Sequence, residues 1–307
     1  MISGSDMMET GAAGRVSLLT ETRRQLRHFN LRVKKGLGQH FLVDRAVVGR
    51  IVSASRLTLT DVVIEVGPGL GVLTRELVRR AGWVVAIELD DRLAVILKET
   101  MVGFNNLTIV NEDILRIEPK VLLEELREQF PPEIGNPFNY KVVANLPYYI
   151  TSPVMRHFLE AQAKPQTMVV MVQKEVAREI TAKPGRLSLM GVSVQLYGEP
   201  AIVHHISPRS FFPMPEVDSS VLMVEVYDHP AVTPEDRDGF FRLVRAGFSS
   251  PRKQIANSLS QGLELPKAEV STLLEKVGVL SQRRAETLTL DEWLHLWRVY
   301  ANSFCTG

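Results

Sequence analysis

The stretch DVVIEVGPGLGVLTRELVRRAGWVVAIELD, residues 61–90, holds two short apolar runs on either side of a helical pattern. The first run, DVVIEVG, ends at a glycine, and the second, WVVAIELD, begins directly after Gly82. Between them, VLTRELVRRAG has apolar residues at helical spacing. Short strands that alternate with helices pair in parallel, so this stretch predicts an α/β fold with a doubly wound sheet.

The alternation continues downstream and then stops. RLAVILKETM predicts a helix, LTIVNEDIL and KVVANLPYY predict the third and fourth strands, and TMVVMVQKEVAREI predicts a strand that runs into a helix. SSVLMVEVY alternates as a late strand, and after HPAVTPEDRDG the composition becomes helical. We therefore place the sheet domain at residues 31–229 and a small, all-helical domain at residues 230–307.

The segment before the sheet differs in composition from the rest of the chain. Residues 1–30 are rich in Gly, Ser, Thr and Arg with little periodicity, which predicts a mobile basic arm. Residues 1–60 carry ten Lys and Arg against four Asp and Glu, although the whole chain has a net charge of only +1. A solvated tail and a nucleic-acid contact both fit such an arm.

Composition also bounds the compartment. The single cysteine, Cys305, cannot form an intramolecular disulfide, which agrees with a reducing environment. No apolar run is long enough to cross a bilayer, and the first 35 residues lack the apolar block of a secretory signal. We expect a cytoplasmic protein without a membrane partner.

A glycine-rich loop joins the first strand to the first helix. Gly67, Gly69 and Gly71 allow the backbone to approach a ligand closely, and no Gly-Lys-Ser/Thr follows as it would in a phosphate loop. Glu88 lies 21 positions after Gly67 at the end of the next strand, where a nucleoside-binding fold needs an acceptor for ribose hydroxyls. A tight turn without a ligand, or a dinucleotide-dependent dehydrogenase, would also satisfy this pattern.

A second acidic residue, Asp113, ends the third strand. Two carboxylates at neighbouring strand ends would repel a pyrophosphate but suit a phosphate-free nucleoside whose adenine amine needs an acceptor. This favours S-adenosyl-L-methionine over NAD as the cofactor. Asp113 could instead serve only as a helix cap.

The fourth strand ends in VVANLPYYITSP, residues 142–153. Asn145 and the backbone carbonyl before Pro147 offer two acceptors for the two hydrogens of an exocyclic amine, and Tyr148 offers a stacking face worth roughly 1–3 kcal/mol per base. Acceptors that hold these hydrogens out of the ring plane localise the nitrogen lone pair, so Asn145 would act by positioning and polarisation. A strand-terminating turn with core tyrosines is the alternative.

With these motifs the sequence resembles the ribosomal RNA adenine dimethyltransferases that modify small-subunit RNA, from about residue 34 to the C-terminus. The resemblance also includes KKGLGQHFL, GRLSLM, FFPMPEVDSSVL and FSSPRKQIANSL. It implies a Rossmann-like methyltransferase that dimethylates two adjacent adenosines in the 3′-terminal hairpin loop of 16S ribosomal RNA. The implied partner is this RNA, within an assembling 30S particle, and no DNA.

The resemblance also implies roles for single residues. His40 and Leu42 would close over the cofactor, although many relatives have Asn at the position of His40, so we expect a main-chain contact there. Phe212 would form a second stacking face for the target base, unless it is only a packing residue. The other implied cofactor and target contacts are Gln39, Gly67, Gly69, Glu88, Asp113, Asn145, Leu146, Pro147 and Tyr148.

Basic residues in the helical domain predict the RNA contact. Residues 241–260 contain Arg242, Arg245, Arg252 and Lys253 and no acid, and the resemblance places this domain against RNA. Such cations bind phosphates and provide affinity and register. A solvated helix face is the alternative. The cations expected to extend this surface are Arg32, Lys34 and Lys35.

Three other functions fit parts of the pattern. The large-subunit RNA dimethylase that confers macrolide resistance shares the first four motifs, but FSSPRKQIANSL and the long helical tail favour the small-subunit enzyme. A non-catalytic RNA-binding factor would not need Asn145 and Glu88, and a DNA adenine methylase would need a DNA-reading motif. No metal is expected, because His204 and His205 are adjacent rather than at ligand spacing.

Overall fold

The computed structural model describes residues 16–34, 36 and 38–304 of the chain. The strands in this part are β1 (Phe41–Leu42), β2 (Val62–Val66), β3 (Trp83–Glu88), β4 (Leu107–Asn111), β5 (Tyr140–Asn145), β6 (Thr167–Gln173), β7 (Gly198–Ile206), β8 (Phe211–Phe212) and β9 (Ser219–Val226). The helices are α1 (Leu18–His28), α2 (Arg45–Ala54), α3 (Thr74–Leu77), α4 (Asp91–Thr100), α5 (Pro119–Glu125), α6 (Thr151–Glu160), α7 (Lys174–Ile180), α8 (Leu189–Gln195), α9 (Arg237–Phe248), α10 (Ile255–Leu263), α11 (Lys267–Lys276) and α12 (Leu290–Phe304).

A seven-stranded sheet in the order β4-β3-β2-β5-β6-β9-β7 forms the centre of the molecule. The first five strands in this order pair in parallel, which confirms the predicted doubly wound arrangement. Strand β9 pairs antiparallel with both β6 and β7, because the chain returns from β7 to β9 without a crossover α-helix. A short antiparallel pair, β1 with β8, stands apart from this sheet.

Burial explains which segments became central strands. Every residue of β2 is buried and six of the seven residues of β6 are buried, as expected for strands covered on both faces. Strand β7 is buried only at its two terminal residues, alternates between exposed and partly exposed residues in between, and lies at the sheet edge. Helices α2 and α4 begin at the caps Asp44 and Asp90, whose carboxylates accept bonds from Ala46 N (2.9 Å) and Arg92 N (3.1 Å).

Helix α1 corrects one expectation. The prediction of a mobile arm over residues 1–30 is wrong for Leu18–His28, which form a helix with Leu18, Thr22 and Leu26 buried. These three residues are four positions apart and form one narrow stripe, which the surrounding Arg and Glu residues obscure in the composition. Residues 1–15 lie outside the described part of the chain.

The C-terminal helices share a core with the sheet. One cluster of buried apolar residues runs from β2 and β5 through α6 and α8 to Phe240 and Trp293, both fully buried. Gly247 permits this packing, because a Cβ there would lie 2.4 Å from the Trp293 ring. The predicted division at residue 230 falls between β9 and α9, and the role of each part stays a prediction. Across the described ranges, no helix has the length and apolarity needed to span a bilayer.

Candidate active site

A cavity of about 320 Å³ opens at the carboxyl ends of β2, β3, β4 and β5. The strand order reverses there, since β3 and β4 lie on one side of β2 and β5 and β6 lie on the other. Ligands of open α/β sheets bind at this topological switch point. The predicted site residues that line the cavity are Gln39, His40, Leu42, Gly67, Gly69, Glu88, Asp113, Asn145, Leu146, Pro147 and Tyr148.

The glycine loop forms one wall. Gly67, Gly69 and Gly71 have φ angles of +68°, +57° and +77°, in the region that side chains other than glycine rarely adopt. Gly69 N donates to Glu88 Oε2 over 3.0 Å, which draws the loop onto the end of β3. A Cβ at Gly71 would lie 2.7 Å from Leu97 on α4. Glycine is therefore required both for the turn and for the packing behind it.

Glu88 is held in place by backbone donors. Besides the bond from Gly69, its Oε1 accepts from Asp90 N at 3.0 Å. Burial raises the pKa of the Glu88 carboxyl, and the N–H groups of Asp90 and Gly69 oppose part of that rise. Each carboxylate oxygen can accept more than one hydrogen, so both can also receive a ligand hydroxyl.

Asn145 connects the end of β5 to the N-terminal segment. Its Nδ2 donates to the backbone oxygen of His40 over 3.1 Å, so the other end of the amide, Oδ1, remains an acceptor. His40 Nδ1 lies 2.7 Å from the Pro213 oxygen, so Nδ1 carries the proton and donates. The contact of Asn145 with His40 uses the main chain, which any residue at position 40 could supply.

Tyr148 is fixed at both ends of its side chain. Its hydroxyl lies 2.6 Å from Ser219 Oγ, and its ring is nearly parallel to the His40 ring, with 5.9 Å between centroids. Burial raises the pKa of Tyr148, and the bond to Ser219 opposes that rise. A phenol that stays neutral and does not rotate suits a stacking platform.

Asp113 faces the cavity and also caps a short turn. Asp113 lines the cavity and also caps the 3₁₀ turn Ile114–Arg116, since its Oδ1 accepts from Leu115 N at 3.0 Å. The cap and the ligand contact are therefore compatible.

Glu65 was not predicted as a site residue, yet it lines the cavity and is 1% exposed. A lone carboxylate within the apolar run VVIEV was the available signal.

Glu65 has no strong partner. Burial raises the pKa of its carboxyl to about 8, and the Glu88 carboxylate adds to the rise, whereas the neighbouring Thr74 hydroxyl opposes it. Neither Glu65 Oε2 nor the Thr74 oxygen makes a hydrogen bond of standard geometry in the described part of the molecule. The carboxyl is consequently neutral near pH 7.

Comparison with known proteins identifies the family. Residues 30–302 match the family model described as ribosomal RNA adenine dimethylase. The chain belongs to the ribosomal RNA adenine dimethylase family. A ribosomal RNA small subunit methyltransferase A from Dehalococcoides mccartyi is 45% identical over 96% of this chain and 97% of its own length. The protein of the same name from Clostridioides difficile is 39% identical over 91% of this chain and 94% of its own.

Solved structures agree with the fold. The 23S rRNA methyltransferase ErmE matches with a TM-score of 0.65 and 30% identity, over 84% of this chain and 98% of its own. A dimethyladenosine transferase from Plasmodium falciparum, 24% identical, matches in fold with a TM-score of 0.71 over 86% of this chain and 98% of its own. Membership of the ribosomal RNA adenine dimethylase family confirms the predicted fold class, methyltransferase activity, S-adenosylmethionine cofactor and ribosomal RNA partner. The dehydrogenase and DNA methylase alternatives do not agree with it.

Two residues with predicted contacts, Phe212 to the target base and Lys34 to RNA, lie away from the cavity. Phe212 does not line it; the ring packs with the apolar cluster that contains Leu26 and Phe41, and the Arg23 guanidinium lies 5.1 Å from its centroid. The packing alternative therefore describes its position in this structure. Lys34 pairs with Asp90 over 2.9 Å rather than extending freely into solvent.

The remaining predicted RNA contacts lie on the surface. Arg242 and Arg245 are exposed on one side of α9, three residues apart, and Arg252 and Lys253 are exposed just before α10. Lys35 lies outside the described residues. Within the described ranges, no group of three or more His, Cys, Asp or Glu side chains could hold a metal. His205 instead bonds Ser220 across the β7–β9 pair at 2.9 Å.

Proposed function

We propose that this ribosomal RNA adenine dimethylase transfers four methyl groups to the N6 atoms of two adjacent adenosines in the 3′-terminal hairpin loop of small-subunit (16S) ribosomal RNA. The observation that carries the proposal is the orientation of Asn145, whose Nδ2 is bonded to His40 while Oδ1 remains available beside Tyr148 at the cavity. The curated relatives at 38–45% identity are named for the small subunit, which supports that RNA over the large-subunit one.

The cavity suits the cofactor of this family. Besides the neutral carboxyl of Glu65, its described lining contains the carboxyl side chains of Glu88, Glu112 and Asp113, and no lysine or arginine. Carboxylates without a neighbouring cation disfavour phosphates and favour a cationic nucleoside. Glu88 would hold the ribose hydroxyls, Asp113 the adenine amine, and the backbone at Gly67 and Gly69 the methionine part. His40 and Leu42 would cover the bound molecule.

Bound S-adenosylmethionine supplies the electrophilic methyl group. In the first transfer, Asn145 Oδ1 and the Leu146 carbonyl accept the two N6 hydrogens of adenine and turn the nitrogen lone pair toward the methyl carbon. Each transfer replaces one of these hydrogens, so in the second transfer one acceptor holds the single hydrogen that remains. Pro147 keeps the Leu146 carbonyl out of helix bonding. Tyr148 stacks on the base, which must leave its own stack to reach this depth.

The helical residues 230–307 would hold the RNA. Arg242, Arg245, Arg252 and Lys253 give an exposed group of cations that can contact phosphates on both sides of the hairpin. Because the substrate is ribosomal RNA, we place the protein in the cytoplasm on assembling 30S particles. Methylation of the particle and of protein-free RNA, measured side by side with labelled cofactor, distinguishes the two forms of the substrate.

The test of the function uses purified full-length protein, labelled cofactor, and small- and large-subunit RNA in separate reactions. We expect label only in the small-subunit RNA, on N6-dimethyladenosine in the 3′ fragment by mass spectrometry. Asn145→Ala should lower kcat by about 10²-fold or more, as loss of a preorganised polar group does. The control Asn105→Ala changes an exposed residue in the turn before β4, at the opposite end of that strand from Asp113. Label confined to large-subunit RNA would contradict the proposal.

A further inference from the structure

A cluster of three polar side chains joins the N-terminal segment to Glu88, and of the three only Gln39 lines the cavity. We call Lys34, Gln39 and Asp90 the Asp90 clamp. Asp90 Oδ2 accepts from Lys34 Nζ at 2.9 Å and from Gln39 Nε2 at 3.1 Å. Gln39 Oε1 in turn accepts from Lys34 N at 2.9 Å.

The clamp reaches the ribose-binding acid through one residue. Asp90 N donates to Glu88 Oε1, and Asp90 Oδ1 caps α4 through Arg92 N. Asp90 is 6% exposed, and its bonds to Lys34, Arg92 N and Gln39 lower the pKa of its carboxyl in spite of burial. A buried carboxylate that accepts three bonds is a rigid anchor.

The residues next to Gln39 line the cavity. His40, Phe41 and Leu42 follow Gln39 directly and face the space between the glycine loop and Asn145. The positions of these three residues depend on the contacts that hold the preceding residues, Lys34 and Gln39. Of the described side chains, Asp90 binds that segment at two points, whereas β1 holds its far end by pairing with β8.

We infer that Asp90 is a positioning residue for the cofactor: through Lys34 and Gln39 it holds residues 39–42 against the cavity, and through its backbone N–H it holds Glu88. This inference rests on the proposed role of Glu88 toward the ribose. It also reassigns Lys34 from phosphate binding to cofactor retention. The clamp acts on cofactor affinity and not on the methyl transfer itself, because its side chains make no hydrogen bond or ion pair with Asn145 or Tyr148 in the described part of the molecule.

Three variants test the clamp. Asp90→Asn keeps an acceptor for the α4 cap but places an amide opposite the donors of Lys34 and Gln39, and Lys34→Gln removes the ion pair alone. Each should weaken binding of S-adenosylhomocysteine, measured by calorimetry, by roughly threefold to tenfold, the range of one charge-assisted bond at a half-exposed site. The loss of affinity in the double variant should be smaller than the product of the two single losses, because both changes break the same contact. Lys34→Arg should restore most of the affinity.

The control is Arg45→Gln. Arg45 also ties the N-terminal part of the protein down, through a 3.0 Å pair with Glu21, and its exposure of 50% matches the 49% of Lys34, but it does not line the cavity. We expect the affinity of Arg45→Gln for S-adenosylhomocysteine to stay within about twofold of wild type. In steady state, the clamp variants should raise KM for S-adenosylmethionine while kcat at saturation stays within about twofold.

Three results separate the possibilities. If the clamp variants bind S-adenosylhomocysteine as the control does, the inference is wrong. If Lys34→Gln weakens RNA binding and reduces its salt dependence while Asp90→Asn does not, Lys34 is a phosphate contact and the inference is also wrong. If wild-type protein fails to methylate small-subunit RNA but its cofactor affinity responds to the clamp, the proposed substrate fails and the clamp stands.

Discussion

Glu65 should make the cofactor-free protein less stable as the pH rises. Its carboxyl keeps a proton up to about pH 8 in the folded state, against an ordinary value of 4.5, because burial disfavours the charge. Between these values the folded state binds one more proton than the unfolded state, so stability is full below pH 4.5 and declines until about pH 8. The free energy of unfolding falls by at most about 1.4 kcal/mol per pH unit. Between pH 4.5 and pH 8 the total loss is roughly 5 kcal/mol.

Glu65→Gln tests this reasoning, because the amide fills the same space and does not titrate. Urea unfolding without cofactor at pH 5, 6, 7 and 8 gives the free energy of unfolding at each pH. We expect the stability of the variant relative to wild type to increase steadily across this series. Glu124→Gln, at an exposed position of α5, should follow wild type throughout. Parallel curves for wild type and Glu65→Gln would refute the buried, protonated carboxyl.

Three further predictions concern packing, stacking and RNA. Phe212→Ala should destabilise the fold by about 2–4 kcal/mol in urea titrations yet leave KM for the RNA within about twofold, because the ring packs against Leu26 and Phe41; a lost RNA affinity at unchanged stability would speak for a target contact. Tyr148→Phe removes only the bond to Ser219 and should lower kcat by less than about tenfold, whereas Tyr148→Ala should cost more because the stacking face is lost. Arg242→Gln combined with Arg245→Gln should weaken RNA binding and reduce the salt slope by about two, measured by filter binding from 50 to 200 mM salt; an unchanged slope would leave these residues as a solvated face.

The strand ends were predictable because their signals are local. An apolar run shows where a strand is, the glycines show where the backbone must turn, and Glu88, Asp113 and Asn145 follow at the ends of successive strands. Parallel pairing then brings all three to one edge, and all three line the cavity.

What escaped prediction depends on contacts between distant parts of the chain. The burial of Leu18, Thr22 and Leu26 depends on surfaces that the helix finds only after folding, and its composition resembles that of a solvated arm. The Phe212 ring lies 5.1 Å from the guanidinium of Arg23 on that same helix, a neighbour that a mobile arm would not provide, and its contact with the target base stays a prediction. Lys34 looked like a free cation because its partner, Asp90, lies more than fifty residues away.

The antiparallel return of β9 also had no local signal. SSVLMVEVY predicts a strand, but direction depends on the connection before it, and residues 207–218 contain no crossover α-helix. The consequence for the site is that Ser219, the first residue of β9, arrives beside Tyr148.

The apolar cluster that extends from the sheet to Trp293 joins helices α9–α12 firmly to the part of the protein that carries the cavity. If Arg242 and Arg245 bind the RNA stem as proposed, the distance between the bound stem and the methylated nitrogen is fixed by this packing. Lengthening the stem by one base pair should then shift or abolish modification even though every target base remains.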